Sequence, residues 1–151
     1  MPKTTTYRTI AGLNKALRKL PKEATVRLRD ASVEIAADVA KKARTRALSV
    51  GGVAKLVAPT IRATRDKVPV VKVGSAKRLP PHNGKRRTGP RQTVADVTMG
   101  AEFGGGKRPR TAQFMPVKRP GYFLYATVED EADNIMESYS EALLDAMKAI
   151  K

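Results

Sequence analysis

The sequence predicts an α+β protein in which a small, mostly antiparallel sheet is packed by a long N-terminal helix and a C-terminal amphipathic helix. Apolar residues recur at spacings of three and four near both ends of the chain, which predicts the two helices. Short segments rich in Val and Thr lie between them and predict the strands. A length of 151 residues fits a single domain, 1–151. Only 5% of the residues are aromatic, which predicts a modest core and leaves open a contribution from partner subunits.

The first part of the chain has a helical pattern interrupted by a proline. We expect residues 1–9 to be flexible, a short helix over about 10–19, and a long helix from Pro21 or Lys22 to about Val50. Gly51-Gly52 then ends the long helix. One face of this helix is apolar and is made by Leu28, Ala31, Ile35, Val39, Ala43 and Ala47.

Three strands are predicted in the middle of the chain. Residues 60–64 and 68–74 read as two strands joined near Asp66-Lys67, with Pro69 at the entry of the second. Residues 93–99 read as a third strand, because Val94 and Val97 stand among small polar residues.

The last segment predicts one amphipathic helix of about 22 residues, from Val128 to Ile150. The acids between 129 and 133 fall in its first turns, where they complement the helix dipole, and lysines follow in its last turn. A stripe of larger apolar side chains predicts core packing, with a subunit interface as the alternative: Met136, Tyr139, Leu143 and Met147. Three acids spaced by four predict an exposed face, either solvated or docked on a basic neighbour: Glu137, Glu141 and Asp145.

Charge is divided unevenly along the chain. Residues 129–151 have a net charge of −5 and residues 1–128 a net charge of +21, within a total of +16. Two glycine- and proline-containing loops, 75–92 and 104–111, carry many of the cations: Lys77, Arg78, Lys85, Arg86, Arg87, Arg91, Lys107, Arg108 and Arg110. Such loops can follow DNA phosphates without reading bases. Docking on an acidic partner and simple solubility are the alternatives.

No catalytic, metal or cofactor site is predicted. The chain has no Cys, which removes thiolate chemistry, and its one histidine, His82, stands alone in a loop. The run Gly104–Lys107 superficially resembles a phosphate-binding loop but lacks the required spacing and the following Ser or Thr. No apolar run approaches the roughly 20 residues of a membrane span, and the N-terminus lacks a signal-peptide pattern. We therefore expect a non-enzyme that is made in the cytoplasm and does not enter a membrane.

Two short motifs carry a resemblance to a known family. They are Glu102-Phe103-Gly104 and the run from Gly121 to Ala126, which leads into a helix containing Glu-Ala-Leu-Leu-Asp at 141–145. In these motifs and in its layout over about 20–150, the chain resembles the tail-component family of long-tailed bacteriophages, in versions from phages of actinobacteria. Members of that family act as tail-completion or neck proteins.

The resemblance implies a structural virion protein of the head–tail junction, assembled in the host cytoplasm as a homo-oligomeric ring, by expectation a hexamer. Such a ring joins the connector, or head-completion protein, to the tail terminator or tail tube, and double-stranded DNA passes through its channel. We expect the subunit or partner interface to include Glu102, Phe103, Tyr122, Phe123, Tyr125, Glu137, Glu141 and Asp145. A tail terminator or head-closure protein is the close alternative, and a nonspecific basic nucleic-acid-binding protein is the alternative from another class.

Overall fold

The computed structural model describes residues 10–80, 92–105 and 114–148. The predicted flexible segment, 1–9, lies outside these ranges. The elements follow the chain in this order: α1 (Ile10–Arg18), α2 (Lys22–Val50), α3 (Gly52–Val57), a short 3-10 turn (Ala58–Thr60), β1 (Arg62–Thr64), β2 (Val70–Lys72), α4 (Val94–Phe103), α5 (Leu124–Asp130) and α6 (Ala132–Lys148). The predicted α+β class, with a small antiparallel sheet and long helices near both ends, is confirmed.

Helix α2 is the element on which the others assemble. Its 29 residues span about 43 Å, and α3, α5, α6 and both strands all contact it. The face that it buries consists of Ala24, Leu28, Ser32, Ala36, Val39, Ala40, Ala43 and Ala47. This face is close to the predicted one, although Ala31 and Ile35 lie at its edge and are only half-buried. Because most of these side chains are small, the neighbouring elements can approach the helix closely.

Gly51 ends α2, as predicted. Its φ of 76° lies in the left-handed region, and its N–H still donates to the Ala47 carbonyl. The chain then enters α3 at once, an element that the sequence did not predict. Ala54 and Val57 of α3 are buried, so this short helix is held by packing rather than by its length.

The two strands after α3 form the predicted hairpin. They pair antiparallel, with Arg62 opposite Lys72 and Thr64 opposite Val70. The strands are shorter than predicted, and the sheet has two strands within the described residues. Val71 packs against the core, so one face of the hairpin is turned inward.

The third predicted strand is wrong, because residues 94–103 form helix α4. Thr93 caps this helix: its hydroxyl accepts the Asp96 N–H, and its own N–H donates to the Asp96 carboxylate at 2.7 Å. Val94, Val97 and Ala101 then fall on one side of the helix and are buried. The valines are three residues apart, a spacing that fits one side of a helix and not one face of a strand, and the capping box supports the helix. Asp96, expected in the strand, therefore lies on a helix, and so does Glu102.

The single C-terminal helix is also wrong, because the chain divides it into α5 and α6 at Glu131. The helix starts earlier than predicted, at Leu124, so Glu129 and Asp130 fall in the last turn of α5 rather than in a first turn. Their position cannot be explained by a favourable helix dipole. Asp130 and the next residue, Glu131, instead form ion pairs with cations of α2.

The core has two parts. The larger surrounds Phe123, which is fully buried, and draws on α2, α3 and α4. The smaller consists of Leu17, Ala24, Leu28 and Ala146, with Tyr139 and Leu143 packed against it. Core packing is therefore confirmed for Tyr139 and Leu143. The prediction of core packing is wrong for Met136 and Met147. These side chains are 64% and 50% exposed, because α6 packs on α2 through the neighbouring face that contains Tyr139 and Leu143.

The capping box makes the stability of α4 dependent on pH. Hydrogen bonds from the Thr93 N–H and hydroxyl hold the pKa of Asp96 below its ordinary value of 3.8. The ionised form thus stabilises the fold above about pH 3.8, and this contribution is lost as the pH falls through the lowered, folded-state pKa. We expect Asp96→Asn to lower the thermal midpoint at neutral pH, and the difference from wild type to shrink in acid. Circular dichroism melts across this pH range measure it.

Glu34→Gln is the matched control, because Glu34 is exposed in the middle of α2, away from either helix end, and has no ion pair within the described residues. This variant should melt like wild type at neutral pH. A loss of the same size from both variants would contradict a specific role for the cap.

Candidate assembly surface

The two sequence motifs meet at a buried carboxylate. Glu102, in the last turn of α4, is 2% exposed. Its carboxylate accepts the N–H groups of Phe123 at 3.3 Å, Leu124 at 3.0 Å and Tyr125 at 2.8 Å. The first N–H groups of a helix have no partner inside that helix, so Glu102 caps α5 from a distant part of the chain. We call this contact the Glu102 junction.

Glycines allow the junction to close. Gly121 has a φ of 148°, and a Cβ at this position would collide with the Glu102 carboxylate. Gly104 has a φ of 83°, and a Cβ there would collide with the Pro116 carbonyl. Gly121 is therefore required by close approach between the two motifs, and Gly104 by close approach to the segment that contains Pro116.

Two of the expected interface residues serve the interior of this chain. Glu102 is occupied by backbone N–H groups, and Phe123 is fully buried in the larger core cluster. Neither side chain is accessible to a partner in this conformation. Phe103, Tyr122 and Tyr125 lie further out, and the structure brings these three aromatic residues together around the junction.

An aromatic cleft lies on the outside of the junction. The rings of Phe103 and Tyr125 are 5.1 Å apart, and Tyr125 is 53% exposed. The cleft measures about 500 Å³ and is lined by Phe103, Gly104, Val117, Arg119 and Pro120. It therefore combines apolar walls with a cation, Arg119.

The segment beside the cleft is held by Tyr122. The Tyr122 hydroxyl donates to the Pro116 carbonyl at 2.6 Å, and the Lys118 ammonium lies 5.2 Å from the centre of the Tyr122 ring. Lys118 is exposed and adds a second cation near the cleft.

The outer face of α6 carries acids next to apolar side chains. Glu137, Glu141 and Asp145 are exposed, as predicted, and Asp145 contacts Lys148 at 3.2 Å. Beside them on the helix stand three exposed apolar residues: Met136 (64%), Leu144 (57%) and Met147 (50%). The spacings of eight and three among these residues place them on one stripe. We call the acids and this stripe together the outer face of α6.

Other acids near α6 are paired within the chain. Lys42 of α2 contacts Glu131 at 2.8 Å and Asp38 at 2.9 Å, and Arg46 contacts Asp130 at 2.7 Å. The hydrogen bond to Glu131 raises the pKa of Lys42, and the same bond lowers the pKa of Glu131. These pairs hold α5 on α2. The acids of the outer face make no contact with α2 cations.

Two of the predicted basic-loop residues, Lys77 and Arg78, lie within the described ranges. Lys77 and Arg78 are exposed, and Arg78 forms an isolated antiparallel bridge with Thr93. Outside the described ranges lie His82 and the remaining cations of the two loops: Lys85, Arg86, Arg87, Arg91, Lys107, Arg108 and Arg110.

A second basic group, not predicted from the sequence, lies on the hairpin. Arg62 and Lys72 are exposed and lie directly opposite each other on β1 and β2. The signal that could have found them is the hairpin register, since a turn centred on residue 67 pairs 62 with 72.

Among residues 10–80, 92–105 and 114–148, no group of three or more His, Asp and Glu side chains could hold a metal ion. No helix in the same ranges is both long and apolar enough to cross a membrane. No protein-family model, curated protein or solved structure matches the chain. The family resemblance therefore stays a prediction, and the function must be argued from the chain's own surfaces.

We expect Glu102→Ala to destabilise the fold by at least about 2 kcal/mol, because it leaves the N–H groups of Phe123, Leu124 and Tyr125 without their buried acceptor. Chemical denaturation followed by circular dichroism measures this. Glu137→Ala, on the exposed face of α6, should change the free energy of unfolding by less than about 0.5 kcal/mol. Equal effects of the two substitutions would contradict the role of the junction.

Proposed function

We propose that the protein is a structural virion protein of the bacteriophage head–tail junction, a tail-completion or neck subunit that forms a ring around the DNA channel. The observation that carries the proposal is the pair of complementary exposed surfaces, the outer face of α6 and the aromatic cleft. In this proposal the ring joins the head-completion or connector protein to the tail terminator or tail tube.

The outer face of α6 fits a protein partner. One side of α6 already packs on α2 through Tyr139, Leu143 and Ala146. The neighbouring side still exposes Met136 and, two turns further on, Leu144 and Met147, with the exposed Ser140 between them. Exposed apolar stripes bordered by charge are typical of protein-binding surfaces. The acids beside the stripe favour a partner that is apolar and basic.

The aromatic cleft has that chemistry, so the partner we propose is a second copy of the chain. Phe103, Val117 and Pro120 offer apolar area, and Arg119 and Lys118 offer positive charge. The two surfaces are different parts of the molecule, so the contact is head-to-tail. Head-to-tail contacts between identical chains close into rings when the rotation permits. The family resemblance implies six copies.

The charge of the chain supports DNA as the content of the ring. The total of +16 is far from neutral, with all 14 acids of the chain already counted in it. A net positive surface attracts a polyanion over long range. The assembled particle is therefore the proposed location, with the host cytoplasm as the place of assembly.

Self-association should depend on both surfaces. We expect Leu144→Asp/Met147→Asp to reduce oligomer formation by purified protein in light scattering coupled to size exclusion, because charge replaces apolar contact area. Leu48→Asp/Leu56→Asp is the matched control, since these leucines are similarly exposed on α2 and α3. Oligomers that persist in the α6 variant would contradict the proposed contact.

A charge exchange tests which surfaces meet. Arg119→Glu and Glu141→Arg should each weaken association, and the double variant should recover part of it, because opposite charges face each other again. If the losses of association in the two single variants simply add in the double variant, contact between the cleft and the outer face of α6 is excluded.

The function itself is tested by electron microscopy of lysates from a phage with an early stop codon in this gene. We expect DNA-filled heads beside separate tails of normal length, with intact particles restored when the protein is supplied. Overlong tails would indicate a tail terminator, and emptied heads a head-closure protein. Normal virions without the protein would overturn the proposal and favour the nonspecific nucleic-acid-binding alternative.

A further inference from the structure

We propose that the β1–β2 hairpin is a phosphate-binding ribbon, in which Arg62 and Lys72 together contact the backbone of a nucleic acid. This inference rests on the part of the proposed function that puts DNA next to the protein. It assigns the contact to the hairpin, in addition to the loops that the sequence analysis singled out.

The two cations are forced together by the fold. Arg62 pairs with Lys72 in the antiparallel register, and both are exposed. Their neighbours Ala63 and Val71 are half-buried, and Val71 packs on the core. Successive side chains of a strand point to opposite faces, so Arg62 and Lys72 share the outward face. Side chains directly opposite on such a pair have Cβ atoms about 5 Å apart.

No acid within the described residues offsets this pair. The ion pairs there involve neither Arg62 nor Lys72, and the one next to the hairpin joins Arg65 to Asp30 at 2.6 Å. Like charges directly opposite each other destabilise a sheet. The arrangement therefore lowers the stability of the free protein and becomes favourable only when an anion lies on it.

A third cation lies beside the residue that precedes β1. The Arg44 Nε donates to the carbonyl of Ile61, the residue before β1, at 2.7 Å. This bond holds an exposed guanidinium of α2 beside the entry of the strand. Beyond β2, Lys77 and Arg78 are exposed on the same stretch of chain. The cations thus follow an extended backbone rather than surrounding a small pocket, which suits a linear polyanion.

The residue types define the ligand as phosphate without base recognition. Arginine can bind two phosphate oxygens with its planar group, and lysine acts as a point charge. The strands of the hairpin contain no aromatic side chain that could stack on a base. Binding should therefore be insensitive to sequence and should weaken as counterions compete.

The decisive variant is Lys72→Glu, because it changes stability and binding in opposite directions. It places an acid opposite Arg62, so the thermal midpoint should rise while affinity for DNA falls at least several-fold. Stability that is given up for a binding site is a recurring property of functional surfaces. A substitution that merely damaged the fold would lower both quantities.

The experiment uses purified full-length protein and a short fluorescently labelled duplex of arbitrary sequence, with anisotropy measured over a range of salt concentrations. We expect Arg62→Ala/Lys72→Ala to weaken binding about ten-fold or more and to reduce the slope of log affinity against log salt by about 2, one unit per lost phosphate contact. The matched control is Lys15→Ala/Arg18→Ala, which removes the same charge from exposed positions of α1. It should leave the slope close to that of wild type. A labelled single strand, run in parallel, tells whether the ribbon prefers a duplex.

Two outcomes would overturn the inference. Equal losses from the hairpin and α1 variants would assign binding to net charge alone. Wild-type DNA binding by Arg62→Ala/Lys72→Ala, with loss of particle formation in the phage, would assign the hairpin to an acidic protein surface. The binding measurement uses purified protein and needs no virion. DNA binding by the hairpin can therefore be confirmed even if electron microscopy shows that the protein is not part of the neck.

Discussion

The buried carboxylate of Glu102 determines how the second half of this protein is arranged. An unpaired carboxylate in a protein interior is strongly unfavourable, and here three consecutive backbone N–H groups at the start of α5 compensate it. The contact joins the end of α4 to α5 and brings Phe123 into the core between them. The direction of α5, and through it the position of α6, follows from this contact. The aromatic cleft lies on its outer side, so the same interaction that stabilises the interior also builds the proposed surface for a neighbour.

The fold separates acidic and basic side chains onto different surfaces more completely than their order along the chain does. Part of the acidic segment turns inward to α2, where Asp130 and Glu131 meet Arg46 and Lys42. The acids that remain outside are concentrated on α6, whereas the hairpin carries only cations on its outward face. A chain with this distribution has one surface suited to a basic protein and another suited to a polyanion. The two proposed contacts therefore need not compete for the same residues.

Long, regular patterns were predictable, whereas elements decided by distant partners were not. Helices α1 and α2 and the hairpin followed from periodicity, the proline at 21 and the glycine at 51. The strand expected at 93–99 was wrong because Val94 and Val97, three residues apart, face one side of a helix, and the local Thr93–Asp96 cap starts that helix. The two family motifs were recognised only as separate short sequences. Their shared role depends on contacts across about twenty residues of chain, which no local pattern contains. The cation pair of the hairpin became visible only with the register.

The division of the core suggests that the two ends of α2 have different resistance to local opening. The end near α4 is held by the larger cluster around Phe123. At the other end, α1 and α6 pack with α2 through four buried side chains, the Tyr139 hydroxyl of α6 donates to the Lys67 carbonyl, and the Lys67 ammonium donates to the Leu17 carbonyl of α1. Regions with little buried apolar contact open first, as units, without unfolding the rest. Helix α1, which joins the smaller cluster through Leu17, is thus the element we expect to open first, whereas α6 shares with α2 the most extensive contact between described elements.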